Sequence, residues 1–231
     1  MADARMSTFA DPSRLYFFFD YLSHNAYLAW HRAPELAARH KLTLTPVPVV
    51  FGALLSHYRQ IGPAELPAKS MWMLRNVLRK ALIHGIPIAP PASHPFNPLL
   101  PLRVTCAVAD EAARRSLVDR LYRATWAEGR AVSEPAVVRE LLLEQHLPAD
   151  ELLAAAGTDD IKQQLRDNVE QALALGIFGV PTLRARNELF WGFDDLEYLE
   201  MFLSGRDVLS PERRELAGWT SVRPSVERRR P

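Results

Sequence analysis

The sequence predicts an α/β fold in which an all-helical block separates a β-α-β unit from an α-β-β-α unit, and three observations carry that reading. A continuous apolar and aromatic run, Leu15 to Leu22, leads into a helical pattern that starts just after Ser23. Strand signal then disappears between Phe51 and Gly157, where helical spacing recurs. From Asp160 an amphipathic helix returns, followed by Gly179-Val180-Pro181-Thr182 and two short β-type runs.

Leu15-Tyr16-Phe17-Phe18-Phe19 reads as a buried strand because it is apolar without alternation. The next helix shows Tyr27, Leu28, Trp30, Ala33, Leu36 and Ala37 on one face. Leu42 to Val50 is rich in β-branched residues and forms a second strand, which Pro46 and Pro48 are expected to shorten or make irregular. Lys69 to His84 carries Met71, Leu74, Leu78, Ala81 and Leu82 at helical spacing. Pro87 to Pro98 holds five prolines and must be an ordered loop or linker. Further helices are expected over Leu99–Glu111, Ser116–Ala127, Glu134–Glu144 and Ala149–Ala156. Ile161, Leu165, Val169, Ala172 and Leu173 form the apolar face of another, stopped by Gly176. Strands Thr182–Ala185 and Glu188–Trp191 and a helix from about Asp195 to Leu203 complete the pattern.

The chain has 231 residues, 28 basic and 27 acidic, so its net charge of +1 gives no general case for nucleic-acid or membrane binding. The basic run Arg228-Arg229-Arg230 reads as a solvated tail. The N-terminus lacks the apolar segment of a signal peptide and no run is long enough to span a bilayer, so a soluble, cytoplasmic protein is expected. Cys106, the only cysteine, lies in an apolar helical stretch and reads as a small core residue. The histidines and this cysteine show no metal-ligand spacing within one element.

The most informative feature is Ser23-His24-Asn25-Ala26 at the start of the first helix. The strand aims Ser23 at a helix N-terminus, where free backbone N–H groups and the dipole favour an anion. Serine is also a common N-cap, which is the plainer account of this residue alone. A thioredoxin-type chain carries two redox cysteines here; without them dithiol–disulfide exchange is excluded at this position, and a thiol from outside is called for. Gly179-Val180-Pro181-Thr182 resembles the cis-proline loop that faces this helix end in the thioredoxin superfamily.

With both motifs in place the fold class is α/β, a thioredoxin-like fold with an all-helical insertion. The chain resembles the 2-hydroxychromene-2-carboxylate isomerases and kappa-class glutathione transferases of the DsbA-like branch of that superfamily. The matching pieces are Phe19 to Ser23, Tyr27 to Ala29, Leu66 to Arg75, Asn97 to Arg103, Gly176 to Thr182 and Trp191 to Asp194. The implied organisation is a discontinuous thioredoxin-like domain over 15–50 and 158–205, a helical insertion over 51–157, and tails at 1–14 and 206–231.

The resemblance implies a glutathione site. Ser23 would hydrogen-bond the glutathione sulfur and help keep it as thiolate. Val180, before Pro181, would pair its backbone with the cysteinyl unit as an added strand does. Lys69 matches a lysine near a glutathione carboxylate, although a solvated helix-start lysine fits equally. Asp194 matches the acid that receives the γ-glutamyl ammonium; Asp194-x-x-Glu197 also has capping-box spacing. Gln60 would stand in for a family asparagine, while Asn97 matches another and also suits a turn. Around this site the chain departs from the family: His24, Asn25 and Ala26 replace Pro, Tyr or Phe, and Ser, and Phe193 replaces glutamine or serine. His24 is expected as a surface residue, its alternative being a proton-transfer group. Trp72, Trp126 and Trp191 are expected as core or pocket wall.

The activity implied is a glutathione-dependent isomerisation of 2-hydroxychromene-2-carboxylate-type intermediates of aromatic catabolism, by thiolate addition and elimination. The alternatives are a kappa-like transferase or peroxidase, or a diverged non-catalytic binding protein. A homodimer acting on a small aromatic substrate, without nucleic acid or membrane, completes the expectation.

Overall fold

The computed structural model describes residues 9–210, 212–223 and 225, so the basic run at 228–230 lies outside the described residues, as does part of each expected tail. Strand β1 (Arg14–Phe19), helix α1 (His24–Arg39) and strand β2 (Thr43–Pro48) form a parallel β-α-β unit. Strands β3 (Thr182–Ala185) and β4 (Glu188–Trp191) add antiparallel pairs, giving the sheet order β2-β1-β3-β4.

The two faces of β1 explain its unbroken apolar run. Leu15, Phe17 and Phe19 point into one core with Trp30 of α1 and Tyr122, whereas Tyr16 and Phe18 join a second core with Val49, Leu54, Val169 and Ile177. A strand covered on both faces has no reason to alternate. Strand β2 is regular over six residues, which corrects the expectation from its prolines. It lies at the sheet edge and pairs only with β1, so Pro46 and Pro48, opposite Phe17 and Phe19, can sit in it without interrupting an interior ladder.

Between β2 and β3 run helices α2 (Phe51–His57), α3 (Pro67–His84), α4 (Leu99–Ala107), α5 (Glu111–Trp126), α6 (Pro135–Glu144), α7 (Ala149–Ala156) and α8 (Asp159–Ala174); α9 (Leu196–Leu203) follows β4. The helix expected over Leu99–Glu111 ends at Ala107, because Asp110 begins the next one by accepting from the Ala113 N–H at 2.7 Å. That cap also starts α5 five residues earlier than the expected Ser116. The proline-rich loop is ordered against the core. Tyr27 donates to the Pro87 carbonyl, and the Ala89 N–H donates to the Trp126 carbonyl at 2.6 Å. Among the described residues no helix is long and apolar enough to cross a membrane.

Candidate active site

Ser23 stands at the end of the turn that leaves β1 and caps α1: its Oγ accepts from the Ala26 N–H at 3.1 Å. The same hydroxyl donates to the Val180 carbonyl at 3.3 Å. The Val180–Pro181 peptide is cis, and the Pro181 carbonyl accepts from the Gly192 N–H at 2.9 Å, tying the loop to the end of β4. Ser23, Val180 and Pro181 are thus brought together as the sequence suggested. Being a cap does not exclude Ser23 from a second role, since its hydroxyl already bridges to the opposite loop.

Three backbone donors around this point are unused among the described residues: the N–H groups of His24 and Asn25 in the first turn of α1, and that of Val180. The first two are the unsatisfied donors every helix start presents. Together with the Ser23 hydroxyl these donors are of the kind that suits an anionic sulfur or a carboxylate. On the far side, a Cβ at Gly179 would come within 2.6 Å of the Trp191 indole nitrogen, so glycine there is what lets Trp191 close over the loop. Trp191 packs on Phe178 with ring centroids 5.0 Å apart, and both remain partly exposed.

Beneath the turn lies Asp20, a residue whose role the sequence did not disclose. Its carboxyl is fully buried and accepts from the N–H groups of Leu22 at 3.0 Å and Phe51 at 2.9 Å. It therefore joins the turn carrying Ser23 to the start of α2. Burial pushes its carboxyl up to about 7, against the opposing pull of the two N–H donors.

His24 corrects an expectation, for it is not a surface side chain. Its ring stacks on His94 at 6.3 Å and meets Trp126 edge-on at 5.7 Å, and its Nδ1 is buried with no partner among the described residues. Burial, followed by the nearby His94 and Lys80, pulls it down to about 4, so at neutral pH the ring is uncharged. His94 reaches this position on the proline-rich loop, whose His94–Pro95 peptide is cis, and its Nε2 lies 3.1 Å from the Leu22 carbonyl. Trp126 is buried and donates its indole N–H to the Tyr21 carbonyl at 2.9 Å, which makes it core; Trp72 is exposed.

Asp194 is ion-paired with Lys80 at 2.8 Å, an arrangement the sequence did not signal because the partners lie 114 positions apart. The Lys80 side chain is only 15% exposed and lies over the Phe193 ring at 5.5 Å, while Asp194 is 75% exposed. The Lys80 charge adds, after burial and His94, to what disfavours protonation of His24. The capping-box alternative for Asp194 fails. Helix α9 starts at Leu196 with Asp195 in the capping position, and the Asp195 carboxylate instead accepts from the Trp191 N–H at 2.9 Å.

Lys69, in the first turn of α3, and Gln60, beyond the end of α2, are both exposed and make no side-chain hydrogen bond among the described residues. The Asn97 side chain accepts from the Leu99 N–H at 3.0 Å, which is the turn role. Cys106 is buried, and burial pushes its thiol up to about 12, so it offers no thiolate near neutral pH. Among the described residues no cluster of histidine, cysteine, aspartate and glutamate could hold a metal ion.

Comparison with known proteins agrees with this geometry. The model of the DSBA-like thioredoxin domain matches residues 14–204. The 2-hydroxychromene-2-carboxylate isomerase of Pseudomonas putida is 30% identical over 191 residues, 80% of this chain and 91% of that protein. Glutathione s-transferase kappa 2 of Caenorhabditis elegans is 24% identical over 203 residues, 81% of this chain and 90% of that one. Among solved structures, a 2-hydroxychromene-2-carboxylate isomerase superposes with a TM-score of 0.78 at 23% identity, over 83% of this chain and 94% of the other.

Proposed function

The chain belongs to the DsbA-like thioredoxin family, and on that footing we propose that it is a glutathione-dependent isomerase of aromatic compounds of the 2-hydroxychromene-2-carboxylate type. The observation that carries the reading is the contact between Ser23 and the Val180 carbonyl, in a chain whose only cysteine is buried elsewhere. A thioredoxin-type site with a hydroxyl where a thiol would stand suits catalysis by a borrowed thiol. The most similar relatives reported above include an isomerase of this substrate and a kappa glutathione transferase.

The residues present fit glutathione. The unused N–H of Val180 and its carbonyl can pair with an extended peptide. The Ser23 hydroxyl and the free N–H groups of His24 and Asn25 can stabilise a thiolate, which lowers a thiol pKa. Asp194, exposed beside the site, would receive the γ-glutamyl ammonium while sharing its charge with Lys80; Lys69 and Gln60 would approach the remaining polar ends. When bound, glutathione supplies a nucleophile that adds reversibly to a conjugated double bond and departs unchanged after the bond has rotated. Ser23 would turn its hydroxyl from the Val180 carbonyl to the sulfur of bound glutathione and stabilise its negative charge. His24, neutral, adds no charge, so the helix N–H groups and the Ser23 hydroxyl would carry the thiolate, and Trp191 with Phe178 offers an apolar wall for an aromatic ring. The homodimer expected from the resemblance has a candidate face on α3, where Trp72, Leu82 and Ile83 are exposed; sedimentation velocity tests it.

The test is the product ledger. Purified protein, 2-hydroxychromene-2-carboxylate and a small amount of glutathione should give the isomerised product with total free thiol unchanged. Thiol consumption would favour the transferase or peroxidase reading, and a rate independent of glutathione would overturn the proposal.

A further inference from the structure

A second feature lies outside the Ser23 site: a cavity of about 240 Å³ between α2, α4 and α8. Its apolar wall includes Val50, Leu99 and Val169, and its polar wall is Arg103, Lys162 and Arg166 with one carboxylate, Glu170. Arg103 is half-buried, its Nε is fully shielded, and among the described residues its guanidinium makes no hydrogen bond and no ion pair. A shielded N–H without a partner is costly, and here it belongs to a guanidinium whose terminal nitrogens are not shielded in the same way. The other cations are only partly compensated. Arg166 donates only to the neutral Gln163 amide, and Lys162 reaches Asp159 at 3.2 Å, a carboxylate that is 96% exposed.

We infer that this cavity binds a small organic carboxylate, its anionic head on Arg103 and its apolar body against Val50, Leu99 and Val169. Arginine presents a planar fork that matches a carboxylate in two-point geometry. Arg166 and Lys162 draw the anion in, and three cations against the two carboxylates Glu170 and Asp159 leave room for one further negative charge. The apolar wall selects an aromatic or branched acid over an inorganic anion. The position supports a ligand role. The wall residue Val50 caps α2, whose Phe51 N–H is held by Asp20, and α4 follows the loop whose His94 touches the Leu22 carbonyl. Both helices therefore start from segments anchored to the turn that carries Ser23, off the C-terminal ends of the parallel strands β1 and β2. The inference does not depend on glutathione.

Calorimetric titration of the full chain with benzoate, benzyl alcohol and inorganic phosphate tests it. Benzoate should bind saturably with one site, benzyl alcohol should show no saturable binding, and phosphate should bind at least about tenfold more weakly than benzoate. Arg103→Gln should weaken benzoate by about tenfold or more. Should that variant fail to fold, Arg166→Glu on the exposed rim must also weaken benzoate, and Ala53→Leu, which enlarges a lining residue on α2 and fills the cavity, must reduce it. Glutathione titration of the same variants should be unchanged, which separates this site from the Ser23 site. Benzoate binding that is absent in the wild type, matched by phosphate, or unaffected by Arg166→Glu and Ala53→Leu would overturn the inference.

Discussion

The Ser23 hydroxyl donates to the Val180 carbonyl at 3.3 Å, although the two residues are 157 positions apart. The contact closes the gap between the start of α1 and the cis-proline loop, and it sets a hydroxyl donor, rather than a thiol, at the centre of the site. Most of the expected behaviour of the protein follows from what surrounds it.

Asp194→Ala should weaken glutathione by on the order of 1.5–3 kcal/mol, the loss of a charge-assisted hydrogen bond. Thermal stability should change little, because Asp194 caps no helix and its ion pair with Lys80 is exposed on the aspartate side. Titration calorimetry and a melting curve on one sample read both. Unaltered affinity with a lowered melting temperature would show that Asp194 is structural.

Ser23→Cys should capture glutathione as a mixed disulfide. The new thiolate, favoured at a helix N-terminus, attacks the disulfide of oxidised glutathione; one half stays bound and the other leaves as thiol. Intact mass should show one adduct on the variant. The wild type should show none, because the Cys106 thiol is buried and pushed up to about 12. An adduct on the wild type would mean that Cys106 is reachable.

Stability should fall as the pH drops from 6.5 towards 4, with His24 as one cause. Its unfolded imidazole protonates near 6.5, whereas the buried ring resists until about 4, so the unfolded state takes up the proton first. The contribution is on the order of 3 kcal/mol, and His24→Phe should flatten this part of a denaturant midpoint-against-pH curve. An identical slope in the variant would show that the imidazole is hydrated.

Asp20 acts in the opposite sense. Its folded carboxyl is raised to about 7 from 3.8, so the stability of the neutral buried form is complete below about 4 and is lost as the pH rises through 7. Asp20→Asn removes the charge and keeps an acceptor for only one of Leu22 and Phe51, whose N–H groups donate to different carboxylate oxygens, so it loses a constant amount at every pH. Relative to the difference at pH 4, the variant should gain steadily on the wild type up to pH 8, as urea midpoints would show. A constant difference between the two proteins would place the carboxyl in contact with water.

The legible and illegible parts of this molecule divide on physical lines. The run Leu15 to Leu22, the helical spacing after Ser23 and Gly179-Val180-Pro181-Thr182 are local signals, and each appears where the periodicity places it. The meeting of Ser23 with Val180 was legible because both motifs are short and ordered along one fold. Lys80 with Asp194 was not, since a lysine on a helix face and an exposed aspartate look like any solvated pair until the chain folds. His24 misled for a similar reason: its burial depends on His94, carried in by a loop whose path no propensity describes. The prolines of β2 misled because strand position, edge or interior, is a property of the sheet.

The most direct measurement is the ultraviolet titration of the bound glutathione thiolate in the wild type and in Ser23→Ala. With the hydroxyl in place the thiolate should persist to lower pH than in free glutathione. Removing a donor to the charged form disfavours that form, so Ser23→Ala should move the transition up by about one pH unit or more. A titration curve unchanged by the substitution would contradict the account, leaving the helix terminus to hold the sulfur without the serine.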